Sequence, residues 1–413
     1  MIVGGGLVGA SLAIALDRLG LDVGMVEASP SAALPAVFDE RNLSFADATV
    51  NALTALGVMH KLRGPAGVIS SIHVTRRGDF GRIKLAAAEY GREAFGRVVV
   101  ARDFGAALES RLAELSRLTR YRPARFVAVC DPGQQDGIDQ LRRIRISDAS
   151  GERILSARLL VAADGTNSDV REALGIGAHR HDYGQQLFVA RMRTERAPDG
   201  TAYERLGAEG PTALLPRGDR HFGVVHGVST ASADAVRALD DAAYLARIQD
   251  AFGWRVGRFI SVGERSVYPA IHVVADKTTA ARSVLVGNAA QTMHPIGAQG
   301  FNLGLRDALT LAELIEERLK ADDGDPGAVD IGDAQLLAAY ASRREEDRAR
   351  TLTMTDGLAR LTANDVPFLR PLRSLGLFAL DRLPSIQQLL VGGAMGYRGA
   401  VPALCRNDDG GVA

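Results

Sequence analysis

Residues 2–27 read IVGGGLVGASLAIALDRLGLDVGMVE, and this stretch predicts how the chain begins to fold. Ile2-Val3 is a short apolar strand, and the loop Gly4–Gly9 that follows it matches G-x-G-x-x-G. An apolar helical repeat comes next, and a second strand, 23–26, ends in the acid Glu27. This order of strand, glycine loop, helix, strand and terminal acid is the dinucleotide-binding fingerprint.

Each piece of this fingerprint has a mechanical use. Gly4 allows the tight turn, Gly6 lets the backbone approach a pyrophosphate, and Gly9 lets the helix pack closely on the strand. Glu27 lies 18 residues after Gly9, where a carboxylate can accept hydrogen bonds from ribose hydroxyls. Because an acid there repels a 2′-phosphate, the sequence predicts FAD or NAD rather than NADP.

A second glycine-rich stretch, VLVGNAAQTMHPIGAQGFNLGLRD, occupies residues 284–307. It predicts a buried strand, a polar turn at Gly287-Asn288, a loop with His294 and Pro295, and a helix that starts near Gly300. Free backbone N–H groups and the helix dipole at such a start favour an anion, or a ring that becomes anionic. Taken alone, the stretch also fits an ordinary strand–loop–helix connection.

A third motif lies between these two, where an apolar strand at 159–163 runs into Asp164-Gly165. Ser168 is the expected N-cap of the helix that follows. In isolation, Asp-Gly after a strand is typical of a simple turn.

The region from about 180 to 280 is dominated by strand-like segments. They lie at 187–192, 212–215, 221–228 and 267–274, with helical patterns at 233–239 and 241–252. This pattern predicts a mainly antiparallel sheet inserted between two α/β halves, as a substrate domain. We expect Trp254, the single tryptophan, to pack in the core.

The C-terminal part is predicted to be helical. A helix from Gly300 to about 319 and a long charged helix at 333–361 precede a segment, 367–390, with amphipathic spacing and a basic polar face. Two interpretations stay open for that segment. It forms a helix pair packed on the parent domain, or it contacts a membrane or a partner protein.

Composition excludes several classes of protein. The 413 residues carry 49 basic and 49 acidic side chains, so no global field attracts nucleic acid. The two cysteines, Cys130 and Cys405, are far apart, and no zinc or other metal site is expected. No run of 18 apolar residues and no signal peptide appear, so we expect a cytoplasmic protein.

The three motifs in this order resemble the class A flavoprotein monooxygenases, over essentially the whole chain. The similarity is greatest to the hydroxylases of ubiquinone biosynthesis, through GNAAQTMHP at 287–295, AFGWR at 251–255, and Tyr340 with Arg343-Arg344 and Asp347-Arg348. Asn288 replaces the Asp of the wider class, which that subgroup tolerates. Ala298 stands where the subgroup has the first Gly of its loop.

The resemblance implies an α/β fold with three parts. A Rossmann-like FAD-binding domain of the glutathione-reductase type would comprise 1–75, 97–178 and 280–330. A mainly antiparallel β-sheet substrate domain would comprise 76–96 and 179–279, and a C-terminal helical region 331–413.

The resemblance also implies roles for individual residues. His294 and Pro295 would lie along the reacting face of the flavin, with His294 either moving a proton or only shaping the loop. The cofactor-binding residues would be Gly4, Gly6, Gly9, Glu27, Arg41, Arg102, Asp164, Gly165, Gly287, Asn288, Pro295, Gly300, Phe301 and Asn302.

The implied reaction is FAD-dependent hydroxylation of a polyprenylated methoxyphenol by O2, through a flavin C4a-hydroperoxide. With one dinucleotide fingerprint in the chain, NAD(P)H would dock only transiently. Two alternatives stay open: another ring position or a soluble phenol, and a non-catalytic flavoprotein subunit of a quinone-biosynthesis assembly. Because an isoprenoid substrate lies in a membrane, residues 367–413 would provide peripheral contact with the inner membrane or with such a complex.

Overall fold

A computed structural model of the chain describes residues 1–30, 39–130, 141–321, 329–363, 378 and 381–406. The helices are α1 (Leu7–Asp17), α2 (Asp47–Ala55), α3 (Ala101–Leu112), α4 (Asp169–Ala173), α5 (Ala233–Arg237), α6 (Asp241–Phe252), α7 (Gly300–Ala321) and α8 (Ala334–Ala363), followed by the C-terminal helix Pro384–Met395. The first strands are β1 (Ile2–Val3), β2 (Val23–Val26), β3 (Asn42–Ala46), β4 (Gly67–Ile69), β5 (Ser71–Arg76), β6 (Arg82–Ala86), β7 (Gly96–Val100), β8 (Leu118–Tyr121), β9 (Ala124–Cys130), β10 (Arg142–Asp148) and β11 (Gly151–Ala157). The remaining strands are β12 (Leu160–Ala162), β13 (Ala178–Thr194), β14 (Thr201–Leu206), β15 (Pro211–Pro216), β16 (Phe222–Ser229), β17 (Phe259–Val262), β18 (Ser266–Ala275), β19 (Thr279–Ala280), β20 (Ser283–Leu285) and β21 (Gln291–Thr292).

The N-terminal fingerprint forms the centre of a six-stranded sheet with the order β19-β20-β12-β1-β2-β8. All its strands are parallel except β19, which pairs antiparallel with β20. Helix α1 is apolar on nearly every side, and residues from Gly9 to Leu16 are buried among α3, α7 and the sheet. The predicted Rossmann-like α/β domain is confirmed.

The inserted sheet has nine strands in the order β21-β18-β13-β16-β15-β14-β5-β6, with β17 paired to β13. The pairs are antiparallel apart from β5 with β14, so the expected inserted, mainly antiparallel sheet is present. Strand β5 also belongs to this sheet, whereas the sequence predicts that residues up to 75 lie in the FAD-binding domain.

One face of the nine-stranded sheet packs on helix α6. Phe188, Phe222, Tyr244 and Phe252 fill this second core. The prediction for Trp254 is wrong, because its side chain is 68% exposed. Helix α6 ends at Phe252, which takes the core position, and Gly253 at φ 90° then turns the chain outward.

Two three-stranded sheets complete the described chain. The order β11-β10-β9 forms an antiparallel ribbon beside β12, and the order β3-β7-β4 bridges the two large sheets. Strand β3 runs toward the start of α7, because the Asn302 side chain accepts a hydrogen bond from the Ala46 N–H at 2.9 Å.

The two C-terminal helices pack on different parts of the molecule, α8 on the first domain and helix Pro384–Met395 on the inserted sheet and the β3-β7-β4 sheet. Helix α8 lies against α7, and Val391 and Met395 of the C-terminal helix are buried with Ile83 and Phe95. The amphipathic segment 367–390 falls largely outside the described residues. Within those residues, none of the helices combines the length and apolarity needed to cross a bilayer.

Candidate flavin site

The loop between β1 and α1 has a shape that only glycine can adopt. Gly4 has φ 105°, and a Cβ there would lie 2.4 Å from the Ala163 carbonyl oxygen. A Cβ on Gly9 would lie 2.0 Å from the Gly4 oxygen. Both contacts are too short for real atoms, so these two glycines set how closely the loop approaches β12 and α1.

Glu27 holds this loop in place. One carboxylate oxygen accepts a hydrogen bond from the Gly5 N–H at 2.8 Å, and the other accepts one from the Ser29 N–H at 2.7 Å. A carboxylate oxygen has two lone pairs, so each retains one for a ribose hydroxyl. The predicted ribose contact and this loop-holding role are compatible.

Asp164-Gly165 lies directly against the first glycine loop, because the Asp164 N–H would be 2.8 Å from a Cβ on Gly4. The Asp164 carboxylate accepts hydrogen bonds from the Ser168 hydroxyl at 2.5 Å and from the Val170 N–H at 3.1 Å. Burial raises the pKa of Asp164 despite these bonds. Its side chain therefore caps α4, as Ser168 also does.

Gly287 brings the third loop to the same place. It has φ 58°, and a Cβ there would lie 2.9 Å from a methyl of Val8 in α1. A Cβ on Gly304 of α7 would lie 2.9 Å from the Gly287 Cα. The structure thus brings the first and third motifs into direct contact, while the adjacent Asn288 is exposed.

The start of α7 has the free donors that the sequence predicts. Leu303 is the first residue of this turn whose N–H has a backbone acceptor, the Gln299 oxygen at 2.9 Å. For Gly300, Phe301 and Asn302, no acceptor of the backbone N–H occurs within the part of the chain that the structure describes. These N–H groups are available to a ligand.

Open space lies beside these loops. A Cβ built on Gly165, Gly297 or Gly300 would meet no atom within 4 Å. These glycines face open space, whereas Gly4 and Gly9 are packed against backbone.

The side chains of Phe301 and Asn302 contact other protein groups and do not face this open space. Phe301 packs against Phe45 and Phe104, with ring centroids 5.3 Å apart in both cases. The Asn302 amide donates to the Ser44 and Ala298 oxygens at 3.0 and 2.9 Å. A cofactor would therefore meet the backbone of these two residues.

Both ring nitrogens of His294 have partners inside the protein. Nδ1 accepts a hydrogen bond from the Ile296 N–H at 3.2 Å, and Nε2 lies 3.2 Å from the Gln185 side-chain oxygen. The ring is buried and stacks edge-on against Tyr183, and burial lowers its pKa to about 4. These contacts favour the loop-shaping alternative. The next residue, Pro295, accepts a hydrogen bond from the Ala298 N–H at 2.8 Å, which closes the turn.

Arg41 and Arg102 lie in one corner of the first domain, joined by backbone hydrogen bonds from Ala101 to Arg41 and from Arg102 to Asp39. The Arg41 guanidinium bonds the Asp39 carboxylate at 2.9 Å and covers the Tyr268 ring at 4.4 Å. Arg102 pairs with Glu40 at 2.9 Å and is largely exposed.

A buried ionic cluster behind the third loop was missed by the sequence reasoning. Arg344 bonds Asp307 and Asp347 at 2.8 Å each, and Arg306 bonds Asp347 at 2.8 Å. Asp307 also accepts the Gly287 N–H at 3.1 Å. Burial raises the pKa of Asp347, but the two guanidinium groups outweigh it and hold the pKa below its usual value. The signal was present in the charged residues quoted for the resemblance, but their spacing does not reveal what they contact.

The hydrogen-bonding groups in this region fit the two halves of FAD. Free N–H groups at a helix start suit a ring that gains negative charge. The glycine loop with Glu27 suits the adenosine and pyrophosphate half. No group of three metal-ligating side chains occurs among the residues that the structure describes.

Comparison with known proteins agrees with this geometry. The model of the FAD binding domain family matches residues 1–354. Ubiquinone hydroxylase UbiL of Rhodospirillum rubrum is 34% identical over 399 residues, which cover 96% of this chain and 89% of that protein. The 3-demethoxyubiquinol 3-hydroxylase of Escherichia coli is 27% identical over 409 residues, covering 96% and 97%.

Solved structures support the fold alone. The p-nitrophenol 4-monooxygenase PnpA of Pseudomonas putida DLL-E4 superposes with a TM-score of 0.77 at 17% identity, covering 97% of this chain and 98% of that one. Aklavinone-11 hydroxylase, solved with FAD and aklavinone, superposes with a TM-score of 0.65 at 19% identity, covering 86% and 67%. Taken with the family match, these findings place the chain in the FAD binding domain family, as a FAD-dependent monooxygenase related to the ubiquinone hydroxylases.

Proposed function

We propose that this protein hydroxylates the ring of a polyprenylated methoxyphenol, such as 2-octaprenyl-6-methoxyphenol, during ubiquinone biosynthesis. The observation that carries the proposal is the contact of the first glycine loop with Asp164 and with the third loop, which continues into the free N–H groups of α7 and reaches the nine-stranded sheet at Gln185. Its relatives UbiL and the 3-demethoxyubiquinol hydroxylase support the choice of pathway.

The protein's own residues bind FAD and orient it. In this proposal the first loop and Glu27 hold the adenosine half of FAD, and Asp164-Gly165 and Gly287-Asn288 border its middle. The backbone at Gly300–Asn302 stabilises negative charge on the ring system. Arg41 and Arg102 lie toward the pyrophosphate and adenosine sides. Bound FAD supplies the activation of O2, with electrons from NAD(P)H, which docks transiently.

His294 is assigned a positioning role, because its ring nitrogens are both engaged inside the protein. It fixes the turn that carries Pro295, and Pro295 in turn would lie along the reacting face of the flavin ring. The ring is neutral near pH 7, since burial lowers its pKa to about 4.

The decisive test combines purified protein and cells. Protein reconstituted with FAD should show NAD(P)H oxidation stimulated by a short-chain 2-prenyl-6-methoxyphenol, with one oxygen atom added to the ring by mass spectrometry. Protein that never binds FAD would refute the proposal. Protein that binds FAD but shows neither phenol-stimulated NAD(P)H oxidation nor hydroxylated product would favour a non-catalytic subunit instead.

The ring position is a separate question with its own measurement. Quinone intermediates that accumulate in a knockout strain, and disappear on complementation, identify the step. If the accumulated intermediate already carries the expected hydroxyl, then the protein hydroxylates a different ring position. If the knockout strain has unchanged quinones and the purified protein hydroxylates soluble phenols, then the protein does not act in ubiquinone biosynthesis.

Membrane association is a further part of the proposal, since an isoprenoid chain partitions into lipid. Flotation with anionic liposomes should carry the full chain upward more than a form lacking residues 367–413. Equal flotation of both forms would show that this region does not provide the contact.

A further inference from the structure

One row of side chains runs across the middle of the nine-stranded sheet. In register, Val189 pairs with Val225, Val225 with Ala213, Ala213 with Glu204, and Glu204 with Val74. Residues directly opposite one another on neighbouring strands project to the same face. Glu204 is therefore the one ionisable member of an otherwise apolar row.

This face is turned toward the flavin site. Gln185 lies on the same face of β13 as Val189, because it is four residues away and side chains alternate along a strand. Its oxygen lies 3.2 Å from His294 of the third loop. At the other end of the face, a Cβ on Gly223 would lie 2.0 Å from the Asn42 side chain in β3.

The middle of the row borders a space, whereas Val74 at its end packs against the apolar cluster that contains Val391 and Met395 of the C-terminal helix. Val74, Glu204, Ala213 and Val225 are all partly exposed. On the opposite face of the sheet, the neighbouring residues Leu214 and Val224 are completely buried against α6.

The Glu204 carboxyl has no partner of its own. No hydrogen bond or ion pair reaches it from the residues that the structure describes. Burial raises its pKa to about 7, although the side chain is partly exposed. That combination is expected of a group that faces an enclosed cavity rather than bulk solvent.

Charged groups elsewhere on this face have partners. Arg76, two residues beyond Val74 on β5, pairs with Asp79, and Arg191 at the end of the β13 face pairs with Asp219. On the side of the C-terminal helix, burial raises the pKa values of the Tyr90 and Tyr397 phenols. The charged groups there also have partners, because Asp47 accepts a hydrogen bond from Tyr397 and Arg92 lies over the Tyr397 ring.

We propose that the Glu204 carboxylate accepts a hydrogen bond from the phenolic hydroxyl of the substrate, and so selects a ring with a free hydroxyl and orients it toward the flavin loops. The inference rests on the proposed function. The apolar row would contact the ring and the start of the isoprenoid chain. A single acceptor in an apolar wall discriminates strongly, because an ether in that place leaves the carboxylate unpaired.

The test compares two probes on the FAD-loaded protein. Short-chain 2-prenyl-6-methoxyphenol carries the hydroxyl, and its O-methyl ether does not. Equilibrium binding, followed through the flavin absorption band, should favour the phenol by roughly 10- to 100-fold in the wild type, the range for a hydrogen bond to a charged group. Glu204→Leu should bind both probes alike and keep FAD. Glu209→Leu, an exposed site at the turn of the same hairpin, is the matched control and should keep the preference.

A second variant covers the case in which Glu204→Leu does not fold. Glu204→Gln keeps the shape of the side chain but carries no ionisable group. The wild-type preference for the phenol should fall as the pH drops below about 7, whereas Glu204→Gln should show a smaller preference that does not change there.

The outcomes separate this inference from the proposed function. A wild type that prefers the phenol, with the same preference in Glu204→Leu or the same pH profile in Glu204→Gln, overturns the role of Glu204 alone. A wild type with neither phenol binding nor phenol-stimulated NAD(P)H oxidation overturns both.

Discussion

The first and third glycine loops contact each other but are held in different ways. The loop at Gly4–Gly9 is held by backbone contacts with β12 and α1 and by Glu27, most of it within one βαβ unit. The segment from Gly287 to Asn302 is held by side chains from far along the chain, including Arg344 and Asp347 acting through Asp307.

This difference separates a shape that is specified locally from one that is specified by tertiary contacts. A local shape should fail completely when one glycine changes. A shape held by several distant side chains should weaken in steps, and each step should be measurable.

The largest effect is expected at the first loop. Gly9→Ala places a Cβ 2.0 Å from the Gly4 oxygen, so the loop and α1 must separate. We expect the purified protein to lose bound FAD altogether, measured as flavin per chain. Gly357→Ala in α8 is the control, because a Cβ there meets nothing within 4 Å and a helical Gly→Ala change stabilises by roughly 0.5–1 kcal/mol. A yellow, fully loaded Gly9→Ala protein would contradict the local specification of this loop.

The next effect concerns the buried ionic cluster. Arg344→Ala leaves Asp307 and Asp347 buried with less compensation, and breaking a buried pair costs about 3–5 kcal/mol. Urea unfolding measures the free energy of unfolding. The control is Arg343→Ala, whose partially exposed pairs with Glu313 and Glu317 should contribute less than about 1 kcal/mol.

Hydrogen exchange in the Arg344→Ala protein tests the comparison itself. The Gly287 amide, which donates to Asp307, should exchange faster than in the wild type. The Gly5 amide, which donates to Glu27, should change far less. Equal acceleration at both amides would mean that the two loops form one cooperative unit.

The same distinction between local and tertiary contacts decides which features the sequence predicts. The glycine fingerprint, the strand before Asp164 and the start of α7 at Gly300 depend on local spacing, and the structure has each where it was expected. The partners of Asp307 and His294 depend on α8 and β13, and no periodicity reveals them. Trp254 shows the converse limit, because an aromatic residue beside a helix end was assigned to the core while Phe252 occupies it.

A smaller effect is expected from the link between β3 and α7. Asn302→Ala removes the acceptor of the buried Ala46 N–H and two donated hydrogen bonds. An unsatisfied buried N–H costs roughly 1–3 kcal/mol, so the free energy of unfolding should fall by about that amount and FAD affinity should fall with it. Asn167→Ala, at an exposed site, should leave both unchanged. If Asn302→Ala alters neither, then β3 does not hold the start of α7.

The last effect depends on pH and is the smallest near neutral pH, where it vanishes; it comes from His294 in the third loop. Burial lowers the pKa of folded His294 to about 4 from 6.5, so on acidification the unfolded chain takes up this proton first. The resulting loss of stability accumulates as the pH falls from 6.5 to about 4 and is absent above 6.5. His294→Asn should make the slope of the unfolding free energy in that window less steep, with the rest of the slope due to other histidines whose pKa burial lowers, such as His73 and His226. His179→Asn, at an exposed position, should leave the slope intact. The same variant separates the two roles of His294. If it only shapes the loop, hydroxylation should persist because Asn can still accept the Ile296 N–H. A fall in kcat of roughly 100-fold or more, with FAD binding and stability retained, would instead identify a proton-transfer group.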